Sequence, residues 1–206
     1  ADRVLVIDHN GEEVDGDKIM YVLAKYLKKH GLLENNTLVT TVMSNIGLYK
    51  ALDRAGIAYD IVSVGDKNVA DSMVKNDFAI GGEQSGHIIN KHHGLFGDGL
   101  KTAMNILAVI KESNQSIEEL CEDVKIYPQL LINQRVKDKN IVLNDDEIKK
   151  LIDKIAKELG NDGRILVRPS GTEPLIRVMV EADSEEKCHD LVYQVIDLIN
   201  AKGYGE

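Results

Sequence analysis

The run Ile165-Leu166-Val167-Arg168-Pro169-Ser170-Gly171-Thr172-Glu173-Pro174-Leu175-Ile176-Arg177-Val178-Met179-Val180 decides the architecture of the chain's second half. Its two ends are short, β-branched apolar segments bounded by turn residues, the pattern of strands. The middle therefore predicts the tip of a strand–loop–strand unit. That tip carries the chemistry of an anion cradle. Ser170 and Thr172 supply hydroxyls, and Gly171 lets backbone approach a ligand or take a positive φ. Arg168 can fork two N–H bonds onto one phosphate. Pro169 and Pro174 fix φ and so reduce the loop entropy lost on binding. Arg177 brings a second positive charge just past the loop. Turn chemistry alone accounts for Ser, Gly, Thr and Pro; the two arginines point to phosphate. Counting Arg164, Arg168 and Arg177 against Glu173 gives the neighbourhood three positive charges to one negative.

That local surplus stands against a global deficit. The 206 residues carry a net charge of −9, which argues against non-specific binding to nucleic acid or to an anionic membrane. Apolar residues make up 43% and charged residues 29%, the balance of a globular chain. Trp is absent and aromatics are few, so aliphatic packing must build the core. Cys121 and Cys188 stand far apart in no metal or redox spacing. They suggest a reduced, cytoplasmic protein and leave a structural disulfide open. No signal peptide and no apolar run long enough to span a bilayer is visible. The chain begins without Met and enters a strand-like run at Val4, so it reads as a piece cut from something longer.

From the start to about residue 115, strand-like and helix-like segments alternate. Strands are expected at 4–7, 37–43, 57–64, 78–80 and 88–89. Helices are expected from Asp15-Gly16-Asp17, from Ser44 or Asn45, over 69–75 after a turn at 65–68, and over 100–111 with Asp98 as cap. Alternation of this kind predicts a mostly parallel sheet covered by helices, an α/β domain. Ligands of such sheets sit at loops beyond the strand C-termini, where the Gly65 and Gly81 loops fall. Ser116 and Glu119 form a capping box, and a second is expected at 144–147, before the helical face Ile148, Leu151, Ile152, Ile155 and Leu159. With a strand at 130–136, the hairpin and a last helix opened by Asp183 or Ser184, this half reads as α+β with an antiparallel sheet.

The second chemistry-bearing stretch is Gly81-Gly82-Glu83-Gln84-Ser85-Gly86-His87. On an extended backbone, side chains at i and i+2 share a face, so Glu83 and Ser85 can address one ligand. An ionised Glu accepts from two adjacent hydroxyls, a natural grip on a sugar. A glycine-bracketed turn with a solvated Glu is the plainer reading of the same residues. His87 either orients this loop or packs beneath it. Asp66 and Lys67 either contact ligand hydroxyls and phosphate or form an ordinary solvated turn. His92-His93 reads as a solvated pair, because adjacent side chains point apart and no third ligand is evident.

Arg-Pro-Ser-Gly-Thr-Glu-Pro followed by Leu-Ile-Arg-Val (168–178) resembles the C-terminal phosphate-binding loop of the α-D-phosphohexomutases. Residues 81–87 resemble the same family's sugar-binding loop. The likeness runs along nearly the whole chain, as the family's last two domains. It implies a remnant of the metal-loop domain at 1–15, a three-layer α/β/α sugar-binding domain at 16–115, and a smaller α+β phosphate-binding domain at 116–206. The function implied is interconversion of hexose 6- and 1-phosphates by a phosphoserine enzyme with Mg²⁺, through a bisphosphate intermediate. Glu83, Ser85, His87, Asp66 and Lys67 would then meet the sugar, and Arg168, Ser170, Gly171, Thr172 and Arg177 the phosphate. Ala1-Asp2-Arg3 resembles the end of the metal loop, with Asp2 as its third ligand and Arg3 beside it. The serine nucleophile would lie upstream, leaving this chain inactive alone and unable to hold Mg²⁺ tightly. Gln84 and the run 175–181 favour a phosphorylated hexosamine as substrate. Mannose or glucose phosphate is the alternative, as is a non-catalytic phosphosugar-binding module for the chain by itself. A homodimer is expected of the full-length parent.

Overall fold

The computed structural model describes all 206 residues, which form two compact units, 1–126 and 127–206. The first opens with a small antiparallel hairpin, β1 (Val6–Ile7) and β2 (Glu13–Val14). The turn between them is held by Asp8, whose Oδ1 accepts from the amides of Asn10 and Glu12, each at 2.8 Å. Asp15 then caps α1 (Gly16–Lys29), accepting from the Lys18 amide at 3.1 Å. The remaining elements are β3 (Thr37–Thr41), α2 (Ile46–Ala55), β4 (Ala58–Val62), α3 (Asp66–Asn76), β5 (Ile80–Gly82), β6 (Ile88–Asn90), α4 (Gly99–Ser113) and α5 (Ile117–Cys121).

The sheet runs in the order β4-β3-β5-β6. β3 is parallel to both β4 and β5, and only the edge strand β6 runs antiparallel. The alternation of strand and helix is thus realised as a mostly parallel sheet with helices on both faces. Neighbouring residues of β3 show the layering. Leu38 packs into the core made with α1, α2, α4 and α5, while Val39 turns to the other face, against Val69 and Met73 of α3. Two expectations need correction. α3 begins at Asp66, not at 69, so Asp66 and Lys67 form its first turn instead of an exit turn. The first unit also runs past 115, because Ile117, Cys121 and Val124 are buried in its core.

The second unit comprises β7 (Gln129–Arg135), α6 (Lys139–Asn144), α7 (Asp146–Leu159), β8 (Arg164–Pro169), β9 (Leu175–Glu181) and α8 (Glu185–Ala201). Its sheet is wholly antiparallel in the order β7-β9-β8. Ile176, Val178 and Val180 of β9 face a core closed by Ile148 and Ile155 of α7 and by Leu191, Val192 and Val195 of α8. Fully burying each such aliphatic side chain contributes about 1.5–3 kcal/mol. α6 was not expected from the sequence; it is a single short stretch with one buried residue, Val142. It also displaces the expected capping box, since Asn144 ends α6 and Asp145 caps α7. Both cysteines are free and buried, one in each unit, and burial pushes both thiols up. No helix is long and apolar enough to cross a membrane.

Asp145 gathers this unit's C-terminal end. Its carboxylate accepts from the Glu147 and Ile148 amides, from Lys202 Nζ at 3.1 Å and from the Tyr204 hydroxyl at 2.9 Å. The Ile148 amide above all holds its pKa down to about 2. A carboxyl depressed in the folded state contributes stability above its ordinary titration range and loses it as pH falls through the folded value. We expect Asp145→Asn to lower the melting temperature of residues 127–206 at pH 7, with the gap from the parent narrowing between pH 4 and pH 2. Thermal melts followed on β9 amide signals check this; a gap independent of pH would reject the assignment.

Candidate functional site

Both chemistry-bearing stretches lie where chain reversal exposes backbone. In the first unit, residues 83–87 join β5 to β6 at the C-terminal edge of the parallel strands. The Glu83 amide donates to the His87 carbonyl and the Gly86 amide to the Glu83 carbonyl, both at 3.0 Å, with Gly86 at φ +87°. The stretch is therefore a tight turn and not extended backbone, so the i, i+2 argument for Glu83 and Ser85 does not apply. Ser85 stands exposed at the apex, and Glu83 is half-buried at the base. Glu83 Oε1 accepts from the Gly65 amide at 3.1 Å, which ties the loop to the start of α3. That bond brings the chain at Asp66 and Lys67 beside the loop. Asp66 itself accepts from the Lys67 amide at 2.8 Å, and both side chains are exposed.

The loop is also clamped from below. The Gly16 amide donates to the Gln84 carbonyl at 2.9 Å and the Val4 amide to the Gly86 carbonyl at 3.1 Å. A β-carbon on Gly16 would lie 2.2 Å from the Glu83 carbonyl oxygen, so the first turn of α1 fits the loop only as glycine. His87 is buried beneath, its ring against Gly97, and its Nδ1 lies 3.3 Å from Asp2 Oδ2. Asp2 is 65% exposed and is drawn below its ordinary value by its own backbone amide first and by His87 second. Arg3 is exposed, with its carbonyl against Gly99. His92 sits 3.2 Å from the Leu32 carbonyl and 3.6 Å from Glu34, and no group of three or more His, Cys, Asp or Glu is placed to hold a metal ion.

In the second unit, residues 170–174 join β8 to β9. Arg168 and Arg177 are direct partners in the ladder, and Asn133 of β7 is the next residue across. Two guanidinium groups on one face of adjacent strands repel. Burial, and then Arg177, push the Arg168 guanidinium below its ordinary value. Arg177 Nε is buried with no hydrogen-bond partner. Ser170 is buried, its amide donates to the Leu175 carbonyl at 2.9 Å, and its Oγ accepts from the Glu173 amide at 3.3 Å. Gly171 and Thr172 are exposed at the apex, and their amides make no bond within the chain. Gly171 does not take the positive φ that glycine would permit, and a β-carbon there would meet nothing within 4 Å. The fold does not demand glycine at this position.

Arg164 does not belong to this cluster. It sits at the far end of β8 and forms a two-pronged ion pair with the fully buried Glu181, Nε to Oε2 at 2.6 Å and Nη2 to Oε1 at 3.2 Å. Its place in the charge count is taken by Lys139 of α6, which the sequence reading missed. Lys139 Nζ donates to the Ser170 carbonyl at 2.7 Å and to the Glu173 carbonyl at 3.1 Å. No local pattern in Val136-Lys137-Asp138-Lys139-Asn140 announces this, because the contact spans 31 residues of chain.

The two glycines separate packing from ligand chemistry. We expect Gly16→Ala to cost about 1–3 kcal/mol, the usual range for a forced overlap, and to shift the amide signals of residues 83–86. Gly171→Ala should change stability by less than about 1 kcal/mol. Denaturant melts of the two variants check both, and an equal loss in each would show that Gly171 is also a packing position.

Residues 15–127 match the family described as phosphoglucomutase/phosphomannomutase, alpha/beta/alpha domain III, and residues 131–198 match the phosphoglucomutase/phosphomannomutase C-terminal domain. The chain is 50% identical over 204 residues to the phosphoglucosamine mutase of Lachnospira eligens, covering 99% of this chain and 45% of that one. It is 46% identical over 202 residues to the phosphoglucosamine mutase of Bacillus cytotoxicus, covering 98% and 45%. It thus spans about half the length of the curated relatives it matches. The fold superposes on the Aspergillus fumigatus N-acetylphosphoglucosamine mutase crystallised with GlcNAc-6P and magnesium, with a TM-score of 0.80 at 18% identity, over 97% of this chain and 50% of that one. The chain belongs to the phosphoglucomutase/phosphomannomutase family, whose domain III and C-terminal domain it comprises.

Proposed function

We propose that this chain supplies the sugar- and phosphate-binding loops of a phosphoglucosamine mutase, an enzyme that interconverts glucosamine 6-phosphate and glucosamine 1-phosphate in the cytoplasm. The observation that carries this reading is the in-register pair Arg168–Arg177 beneath two amides that nothing in the chain satisfies. Two opposed guanidiniums and a turn of outward N–H groups are complementary to a phosphate dianion. Arg168, Arg177, Ser170, Gly171 and Thr172 grip the phosphate that is not reacting. Glu83 keeps one carboxylate oxygen on Gly65 and offers the other to sugar hydroxyls, with Ser85 at the apex beside it. His87 supports that loop from beneath. Asp66 and Lys67 flank it on the start of α3.

Phosphoryl transfer rests largely on positioning and charge stabilisation. A grip on the distal phosphate with general hydroxyl contacts to the ring suits a substrate that must bind in two orientations. The full-length enzyme would pass phosphate between substrate and a phosphoserine through a bisphosphate intermediate. The identity of nearly half to phosphoglucosamine mutases along the whole chain supports glucosamine over mannose or glucose. Mg²⁺ does not fit the residues present. This hard ion wants near-octahedral oxygen ligands, and Asp2 stands as a lone exposed carboxylate beside an imidazole. No step is assigned to metal held by this chain.

Two outcomes test this. Arg168→Ala should weaken binding of glucosamine 6-phosphate by about 1.5–3 kcal/mol, the worth of a charge-assisted contact; calorimetry showing unchanged affinity would remove the cradle. The 206-residue chain should not turn over glucosamine 6-phosphate, even with Mg²⁺ and a sugar bisphosphate. Detectable glucosamine 1-phosphate in that assay would contradict the placement of the nucleophile outside these residues.

A further inference from the structure

We propose that Lys139 is a positioning residue of the phosphate-binding loop: by fixing the Ser170 carbonyl on one side, it turns the Gly171 N–H to the other, toward the bound anion. This rests on the phosphate reading of residues 168–177.

In a trans peptide the carbonyl and the following N–H point in opposite directions within one plane, and the chain holds no cis peptide. The Ser170 carbonyl is committed to Lys139 Nζ at 2.7 Å. The Gly171 amide must therefore face away from the ammonium, and it is one of the two loop amides with no partner in the chain. The remaining corners of the loop are fixed by other bonds: the Ser170 amide to the Leu175 carbonyl, the Val136 amide to the Pro174 carbonyl at 3.0 Å, and the Glu173 amide to Ser170 Oγ. What these leave undetermined is the orientation of the Ser170–Gly171 peptide, and Lys139 determines it. The ammonium donates a second bond to the Glu173 carbonyl at 3.1 Å and so spans the loop from one side to the other. Lys139 forms no ion pair, so both of its bonds serve the loop's carbonyls. A simple turn-stabilising role would be filled as well by a neutral donor.

Lys137 provides the control. It lies two residues earlier, carries the same charge and donates to the Gly203 carbonyl at 3.0 Å, not to the loop. The test uses the whole 206-residue chain, inorganic phosphate as probe and two-dimensional amide NMR. In the parent protein, phosphate should move the Gly171 and Thr172 amide protons downfield as they bond the anion. Lys139→Met should weaken phosphate binding about tenfold or more, the lower end of what one charge-assisted bond is worth, and should abolish the Gly171 shift at saturating phosphate. Lys137→Met should do neither. Lys139→Gln keeps one donor and should fall between; it carries the comparison if the Met variant does not fold. Parent-like affinity and Gly171 shift in Lys139→Met would overturn the proposal and leave the phosphate reading standing. Weaker binding with the Gly171 shift intact would reduce Lys139 to plain charge and overturn its positioning role. Absence of any phosphate response at residues 168–177 in the parent protein would bring down the phosphate reading itself.

Discussion

The pairing of β8 with β9 sets Arg168 opposite Arg177, and the second unit's chemistry depends on that register. Directly opposed side chains in an antiparallel pair lie roughly 5 Å apart. Like charges set directly opposite one another destabilise a strand pair, and burial and Arg177 push the Arg168 guanidinium below its ordinary value. The same two strands end differently at their other extremity, where Arg164 faces the buried Glu181 and the charges cancel. One end of the ladder is thus a locked ion pair and the other a pair of like charges beneath an open turn. A doubly charged anion bound there, as proposed above, would offset that repulsion. A slip of β9 by one residue would send Arg177 toward the aliphatic core, so Ile176, Val178 and Val180 on the opposite face enforce the arrangement as they bury themselves.

The first unit solves a different problem. Its parallel strands end together, and their following loops converge on one edge. There the Glu83 carboxylate bridges to the first amide ahead of α3, and the first turn of α1 presses against the loop without a side chain between. Backbone carbonyls and amides of residues 83–86 are largely consumed in holding the turn. What faces outward is a hydroxyl and part of a carboxylate, groups suited to an uncharged polyol ring. The proposed function thus divides the labour: charge recognition in one unit, hydroxyl recognition in the other.

Much of this was legible in the sequence because it is encoded locally. Alternating strand and helix patterns, the Asp15, Asn45, Ser116 and Ser184 caps, and the hairpin at 168–174 each depend on residues within one or two turns of each other. The errors share a cause. Sequence distance alone places Arg164 with the loop arginines, while strand geometry carries it to the opposite end of β8 and into an ion pair. The composition of Gly65-Asp66-Lys67-Asn68 reads as a turn, yet Gly65 serves as the cap of α3 and the next residues form its first turn. The Glu83–Ser85 argument assumed extended backbone where Gly86 makes a turn. The Lys139 contact and the Gly65 tether are invisible in the sequence because each is made to a partner far along the chain.

The leading residues are sewn into the machinery they precede. Ala1 receives a bond from the Gly99 amide, Asp2 leans on His87, and Val4 hydrogen-bonds the carbonyl of Gly86. Whatever loosens residues 1–4 is therefore felt at Gly86, and through it in the placement of Ser85.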